Sequence, residues 1–176
     1  MTLWITGLSG TGKTTLCCAL GQQLKPVCPQ LIILDGDAIR ALFDNDLGYA
    51  EADRMKQIKR MQRLAQLLSR QGQVVLVAAL YSHPELLAWN RVHLAGYFEL
   101  YLQGSLPFLQ TRDGKRLYQE AAAGTRQHVV GMDIPWHVPS AADLVIDAET
   151  APSPEESARQ VIAAVPQLKA LFATRY

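Results

Sequence analysis

The chain has 176 residues, 49% of them apolar and 19% charged, a mix that excludes a disordered or collagen-like polypeptide and predicts one domain with a sizeable core. Lys plus Arg number 17 against 16 for Asp plus Glu, a formal charge of +1, so there is no global basic field for a nucleic acid polymer and any phosphate preference must be local. The longest apolar run, Val74 to Tyr81, falls far short of the roughly 20 residues that span a bilayer, and no basic segment precedes the apolar start, so no membrane association and a cytoplasmic address are expected.

Thr2 to Thr6 is β-rich and runs into the glycine loop Gly7-Leu-Ser-Gly-Thr-Gly12, after which Lys13 to about Leu24 predicts a helix. Pro26 and Pro29 bracket a connection to a buried strand, Leu31 to Leu34, that ends at Asp35-Gly-Asp37. From Asp53 to Ser69, the residues Met55, Ile58, Met61, Ala65 and Leu68 recur at helical spacing, with Arg54, Lys56, Lys59, Arg60 and Arg63 on the other face. Val74 to Ala79 reads as a strand, Pro84 to Leu94 as a helix opened by proline, and Phe98 to Leu102 as a further strand. A charged segment from Arg112 to Arg126 leads through the loop Gly131 to Pro139 to a short strand, Leu144 to Ile146, and one closing helix, Pro154 to Phe172. Such alternation predicts an α/β fold, a parallel sheet covered by helices on both faces. Cys17, Cys18 and Cys28 read as reduced and buried, and neither they nor the four histidines have metal-ligand spacing.

Gly7-x-x-x-x-Gly12-Lys13-Thr14 matches the P-loop pattern in the setting its mechanism requires, after a strand and at a helix start. Glycines let backbone N–H groups turn toward phosphate oxygens, and the helix N-terminus adds partial positive charge. Lys13 would reach the β- and γ-phosphates of ATP and Thr14 would ligate Mg²⁺, with Gly7, Ser9, Gly10, Thr11, Gly12 and Thr15 completing the cradle. Asp35, at the end of an apolar strand, is placed near that Mg²⁺, and Asp37 is the first choice for the group that orients or deprotonates an acceptor hydroxyl; their roles could be exchanged. Asp35-Gly-Asp37 also reads as a turn in which Asp37 caps the next helix, a role compatible with catalysis. Arg40 would face the same cleft, and His83, where the third strand ends, is a weaker candidate that also fits a helix start.

Taken together, Gly-Leu-Ser-Gly-x-Gly-Lys-Thr-Thr, Leu34-Asp-Gly-Asp-x-Ile-Arg40, Asp46-Leu-Gly48, Asp53-Arg54, Arg112-Asp-x-Lys-x-Leu-Tyr118 and Gly131-x-Asp133 resemble, in order, the motifs of adenylylsulfate kinases over nearly the whole chain. The resemblance implies a P-loop nucleoside triphosphate hydrolase-type fold with a five-stranded parallel sheet, a lid over about residues 112–139, a possible homodimer, and transfer of the γ-phosphate of ATP to the 3′-hydroxyl of adenylylsulfate in sulfate assimilation. By position, Arg40, Arg54 and Arg60 resemble the arginines around the acceptor nucleotide, and Lys115 the catalytic lysine of the lid, where Arg112 joins it in neutralising transferred charge.

Departures from the family gather on the acceptor side. The pattern Phe-Thr-Gly-Ile-Asp becomes Val129-Val-Gly-Met-Asp133, leaving Tyr49 as the aromatic expected to stack on the acceptor base, with Val129 and Gly131 opposite. Arg-x-x-Asn-Ile-Arg-Arg becomes Arg54-Met-Lys-Gln-Ile-Lys-Arg60, so Gln57 replaces the asparagine, and Ile-Ser-Pro followed by arginines becomes Leu80-Tyr-Ser-His-Pro. The same chemistry on another acceptor, such as a cytidine diphosphoramidate in capsule modification, is therefore the alternative reading. A nucleotide-binding regulatory module is disfavoured, since no Asn-Lys-x-Asp guanine-reading element is present.

Overall fold

The computed structural model describes residues 1–114 and 116–173. Strands β1 (Thr2–Thr6), β2 (Leu31–Asp35), β3 (Val74–Ala79), β4 (Tyr97–Gln103) and β5 (Leu144–Asp147) form one parallel sheet in the order β2-β3-β1-β4-β5. The helices are α1 (Lys13–Leu24), α2 (Gly36–Leu42), α3 (Glu51–Arg70), α4 (Pro84–His93), α5 (Leu106–Thr111), α6 (Leu117–Ala122), α7 (Pro154–Ala164) and α8 (Pro166–Ala173).

Central placement explains why every residue of β1 is buried: it is paired on both edges and covered on both faces. Alternation then sorts its side chains into two cores. Leu3 and Ile5 join Leu16, Leu20 and Val161 on the α1 and α7 side, whereas Trp4 joins Met61, Val77 and Leu86 on the α3 and α4 side. Each fully buried aliphatic side chain contributes about 1.5–3 kcal/mol relative to exposure. The carboxyl ends of β1, β2 and β3 consequently bring Gly7, Asp35 and Leu80 to one edge, where open α/β sheets bind ligands.

The closing helix is two helices. Pro166 has no N–H to donate and disfavours helical geometry in the residue before it, and Val165 accordingly takes φ −91°, ψ 109° between α7 and α8. The helix expected from Asp53 begins at Glu51, and the charged segment after Arg112 contains α6. Cys17 and Cys28 are buried, but Cys18, on the outer face of α1, is exposed. No helix among the described residues is long and apolar enough to cross a membrane.

Candidate active site

Backbone geometry shapes the loop between β1 and α1. A Cβ on Gly7 would lie 2.5 Å from the carbonyl oxygen of Leu102, and Gly10 and Gly12 take φ +83° and +94°, a region that favours glycine. The Thr11 hydroxyl donates to the Leu8 carbonyl at 3.0 Å, so this residue braces the turn from within. The Lys13 ammonium folds over the loop and donates to the carbonyls of Gly7 (2.9 Å) and Leu8 (2.7 Å). Burial pushes its pKa down to about 8, against the upward pull of Asp35 and Asp37.

Asp35 serves two elements at once. Its Oδ2 accepts from the Thr14 hydroxyl at 2.7 Å, while Oδ1 accepts the backbone N–H groups of Asp37 (2.9 Å) and Ala38 (3.3 Å) and caps α2. The cap is thus Asp35 and not Asp37, because the helix begins at Gly36. A cavity of about 460 Å³ is walled by Ser9, Gly10, Gly12, Lys13, Thr14, Thr15, Asp35, Asp37, Arg112 and Tyr118. Gly7 and Thr11 lie outside that wall. An adjoining slot, with Ile146, Ala151 and Pro152 as apolar walls, shares Gly12, Thr15 and Arg112 with it.

A second cavity, of about 200 Å³, holds Arg40, Tyr49, Arg54, Gln57 and Tyr81, and it shares Ser9, Gly36, Asp37 and Leu80 with the first. The two chambers therefore meet at Asp37. Arg40 is buried and donates to the carbonyls of Leu47 (3.1 Å) and Gly48 (3.0 Å); Arg54 donates to those of Tyr49 (2.9 Å) and His128 (2.7 Å). Both guanidiniums lie over the Tyr49 ring, at 4.7 and 5.5 Å from its centroid. Burial, followed by repulsion from Arg40, lowers the pKa of Arg54, as expected of two cations facing one small space. Gln57 is buried and donates to the Gly36 carbonyl at 3.2 Å, tying α3 to the start of α2.

Three expected acceptor residues are elsewhere. Arg60 makes a two-pronged contact with Asp46 (2.9 and 2.7 Å) and stacks over Phe43 at 4.0 Å, so a nearby carboxylate takes the guanidinium out of the cavity. Val129 is 1% exposed and packs in the α3 side core with Val130 and Ile134, which leaves it no face for a base. Gly131 backs onto Leu8 and Leu106 and lines a separate pocket beside Trp136. His83 starts a helix, its Nδ1 accepting from the Glu85 N–H to cap α4. Lys115 lies outside the described residues.

Sequence reasoning missed four contributors. Tyr118 lines the first cavity and donates from its hydroxyl to the Ser9 carbonyl at 2.9 Å; Tyr81 walls the second; Gln127 and His128, in the segment after α6, also line the second. Tyr118 ends the family-like motif that starts at Arg112, so a signal existed. The side chain of Tyr81 gave none, being embedded in an apolar strand end.

With this geometry in hand, the family model for adenylylsulphate kinase matches residues 1–147. The chain belongs to the adenylylsulphate kinase family. As a member of that family it is an ATP-dependent kinase. It is 36% identical over 145 residues to an adenylyl-sulfate kinase of Synechococcus sp. (strain JA-3-3Ab), covering 82% of each chain. Against the adenylyl-sulfate kinase of Paraburkholderia xenovorans it is 37% identical over 151 residues, covering 85% of this chain and 84% of the other. Among solved structures, the Mycobacterium tuberculosis APS kinase CysC in complex with AMPPNP and APS superimposes with a TM-score of 0.84 at 34% identity, covering 93% of this chain and 95% of that one. Shikimate kinase from Aquifex aeolicus, at 14% identity and a TM-score of 0.61, shares the fold.

Proposed function

We propose that this adenylylsulphate kinase family member transfers the γ-phosphate of ATP to the 3′-hydroxyl of adenylylsulfate, forming 3′-phosphoadenylylsulfate and ADP in sulfate assimilation. The observation that carries the reading is the shared wall of the two cavities at Asp37: one chamber has the phosphate loop, the other two arginines bonded to carbonyls. A triphosphate in the first and an anionic nucleotide in the second would place donor and acceptor on either side of one carboxylate. The acceptor oxygen forms the new bond to the γ-phosphorus as the bond to the β–γ bridging oxygen breaks, and Asp37 orients the hydroxyl and takes its proton.

Lys13, with Arg112 and Lys115 from the lid, neutralises charge on the transferring group. Thr14 and Asp35 fit Mg²⁺: they offer two hard oxygens 2.7 Å apart, the small protein share that this ion accepts when phosphates and water complete its shell. When bound, Mg²⁺ supplies electrostatic stabilisation to the phosphate oxygens. Arg40 and Arg54 hold the acceptor anion, and Tyr49, with Gln57 and Leu80, borders its base. The ATP base takes the apolar slot beside Ala151 and Pro152. The reading places the enzyme in the cytoplasm, where ATP is supplied, as a homodimer whose mass light scattering would check.

A coupled ADP-release assay over adenylylsulfate, cytidine diphosphate derivatives and simple sugars tests the assignment. Adenylylsulfate should give the highest kcat/KM, and a cytidine derivative ranking above it would transfer the acceptor assignment to that class.

A further inference from the structure

Glu51 and Arg54 stand three residues apart on α3, a spacing at which a carboxylate and a guanidinium on a helix are neighbours able to pair. Here they do not. The Glu51 carboxylate instead accepts the hydroxyl of Tyr81, and Arg54 gives one N–H from Nε and one from Nη2 to the carbonyls of Tyr49 and His128, leaving Nη1 for another partner. Tyr81 is held firmly where it makes this bond. It is 2% exposed, and its ring lies among those of His83 and His137, with centroids 6.3 and 6.2 Å away. On one side of it the Thr6 hydroxyl donates to the Leu80 carbonyl at 3.3 Å, and on the other the Ser82 hydroxyl donates to the His137 carbonyl at 2.5 Å, so the chain is tied down on both sides of Tyr81.

The consequence is electrostatic. A carboxylate free to fold back onto Arg54 would neutralise one of the two cations that face the second cavity, and would set a negative charge where an anionic acceptor must approach. We propose that Tyr81 is a positioning residue for the acceptor: its hydroxyl holds the Glu51 carboxylate off Arg54 and so reserves that guanidinium for the acceptor's anionic group. The inference rests on the reading of the second cavity as the acceptor site.

That role makes a prediction about sign which simple packing does not. Tyr81→Phe keeps the ring and releases Glu51, so the KM for adenylylsulfate should rise about two- to fivefold, the span of a competing exposed ion pair, with the KM for ATP unchanged. The rise should shrink as salt is added. Glu51→Gln, alone, should leave the acceptor KM within about twofold of the parent. In the double variant E51Q/Y81F no carboxylate remains to compete, and the acceptor KM should return to the parental value. A Y81F effect that Glu51→Gln fails to suppress, or one shared equally by ATP, would show that the phenol acts through packing and would overturn the proposal, as would an unchanged acceptor KM in Y81F. Arg54→Gln separates the two levels. If it leaves the acceptor KM unmoved, the acceptor-site reading itself fails; if it raises that KM while the Tyr81 and Glu51 variants show no suppression, only the positioning role fails.

Discussion

In the folded chain the Lys13 ammonium is caged by carbonyls of its own loop, and burial pushes its pKa from 10.5 to about 8. Between these values the unfolded chain keeps a proton that the folded chain has released, so stability rises with pH across the window. Below pH 8 both states are protonated and the full desolvation penalty stays in the folded state. Lys13→Met should therefore abolish ADP release and yet raise the melting temperature of nucleotide-free protein at pH 7, the gain fading toward pH 10. Thermal unfolding from pH 7 to 10 measures it, and a lowered melting temperature at pH 7 would contradict the argument. Single residues also mark the limit of what sequence conveys. Arg54 and Arg60 carry the same charge on one helix, and only Asp46, brought close by the turn after α2, decides that Arg60 is neutralised while Arg54 faces the cavity. Val129 was unreadable for a similar reason, since its burial depends on a core assembled from distant strands.

At the scale of elements, Asp35 joins β2, α1 and α2 through a single carboxylate, which allows its structural and chemical roles to be separated. Asn is as good a helix cap as Asp, whereas Ala is not. Asp35→Ala should thus lose about 0.5–2 kcal/mol of stability along with Mg²⁺-dependent turnover. Asp35→Asn should retain most of the stability and still lose turnover. Urea titrations beside ADP release distinguish the two; equal instability in both variants would remove the cap from the account. The proposed lid is also of two kinds. Asp133 accepts the N–H groups of His128 and Val129, both at 2.6 Å, and these bonds lower its pKa, while Val129, Val130 and Ile134 are core residues. We propose that residues 129–134 act as a fixed post and that any closure over nucleotides belongs to the segment before them. Hydrogen exchange should show 129–134 protected with or without ATP analogue and acceptor, and ligand-dependent protection within 112–127. Uniform protection changes across both would refute the division. The long, periodic α3 and the apolar strands were legible from pattern alone. The short α5 was not, because six residues are too few to display a period.

The whole molecule shows a sheet order that alternation of strands and helices could not convey. Strand β1 lies between partners that follow it much later in the chain, with Trp4 in register with Val77 on one side and Glu99 on the other. On a ribosome adding about 5–20 residues per second, this apolar strand would emerge many seconds before β4 could close its second edge. An apolar strand with an edge left open over such an interval is the kind of segment that chaperones exist to protect. Bound nucleotide offers no shelter then, because the cavity around the phosphate loop is completed by Leu109, Arg112 and Tyr118, which follow β4 in the chain. The ligand can therefore secure the finished sheet but cannot recruit its missing strands, and newly made chains must reach β4 before substrate contributes to their survival.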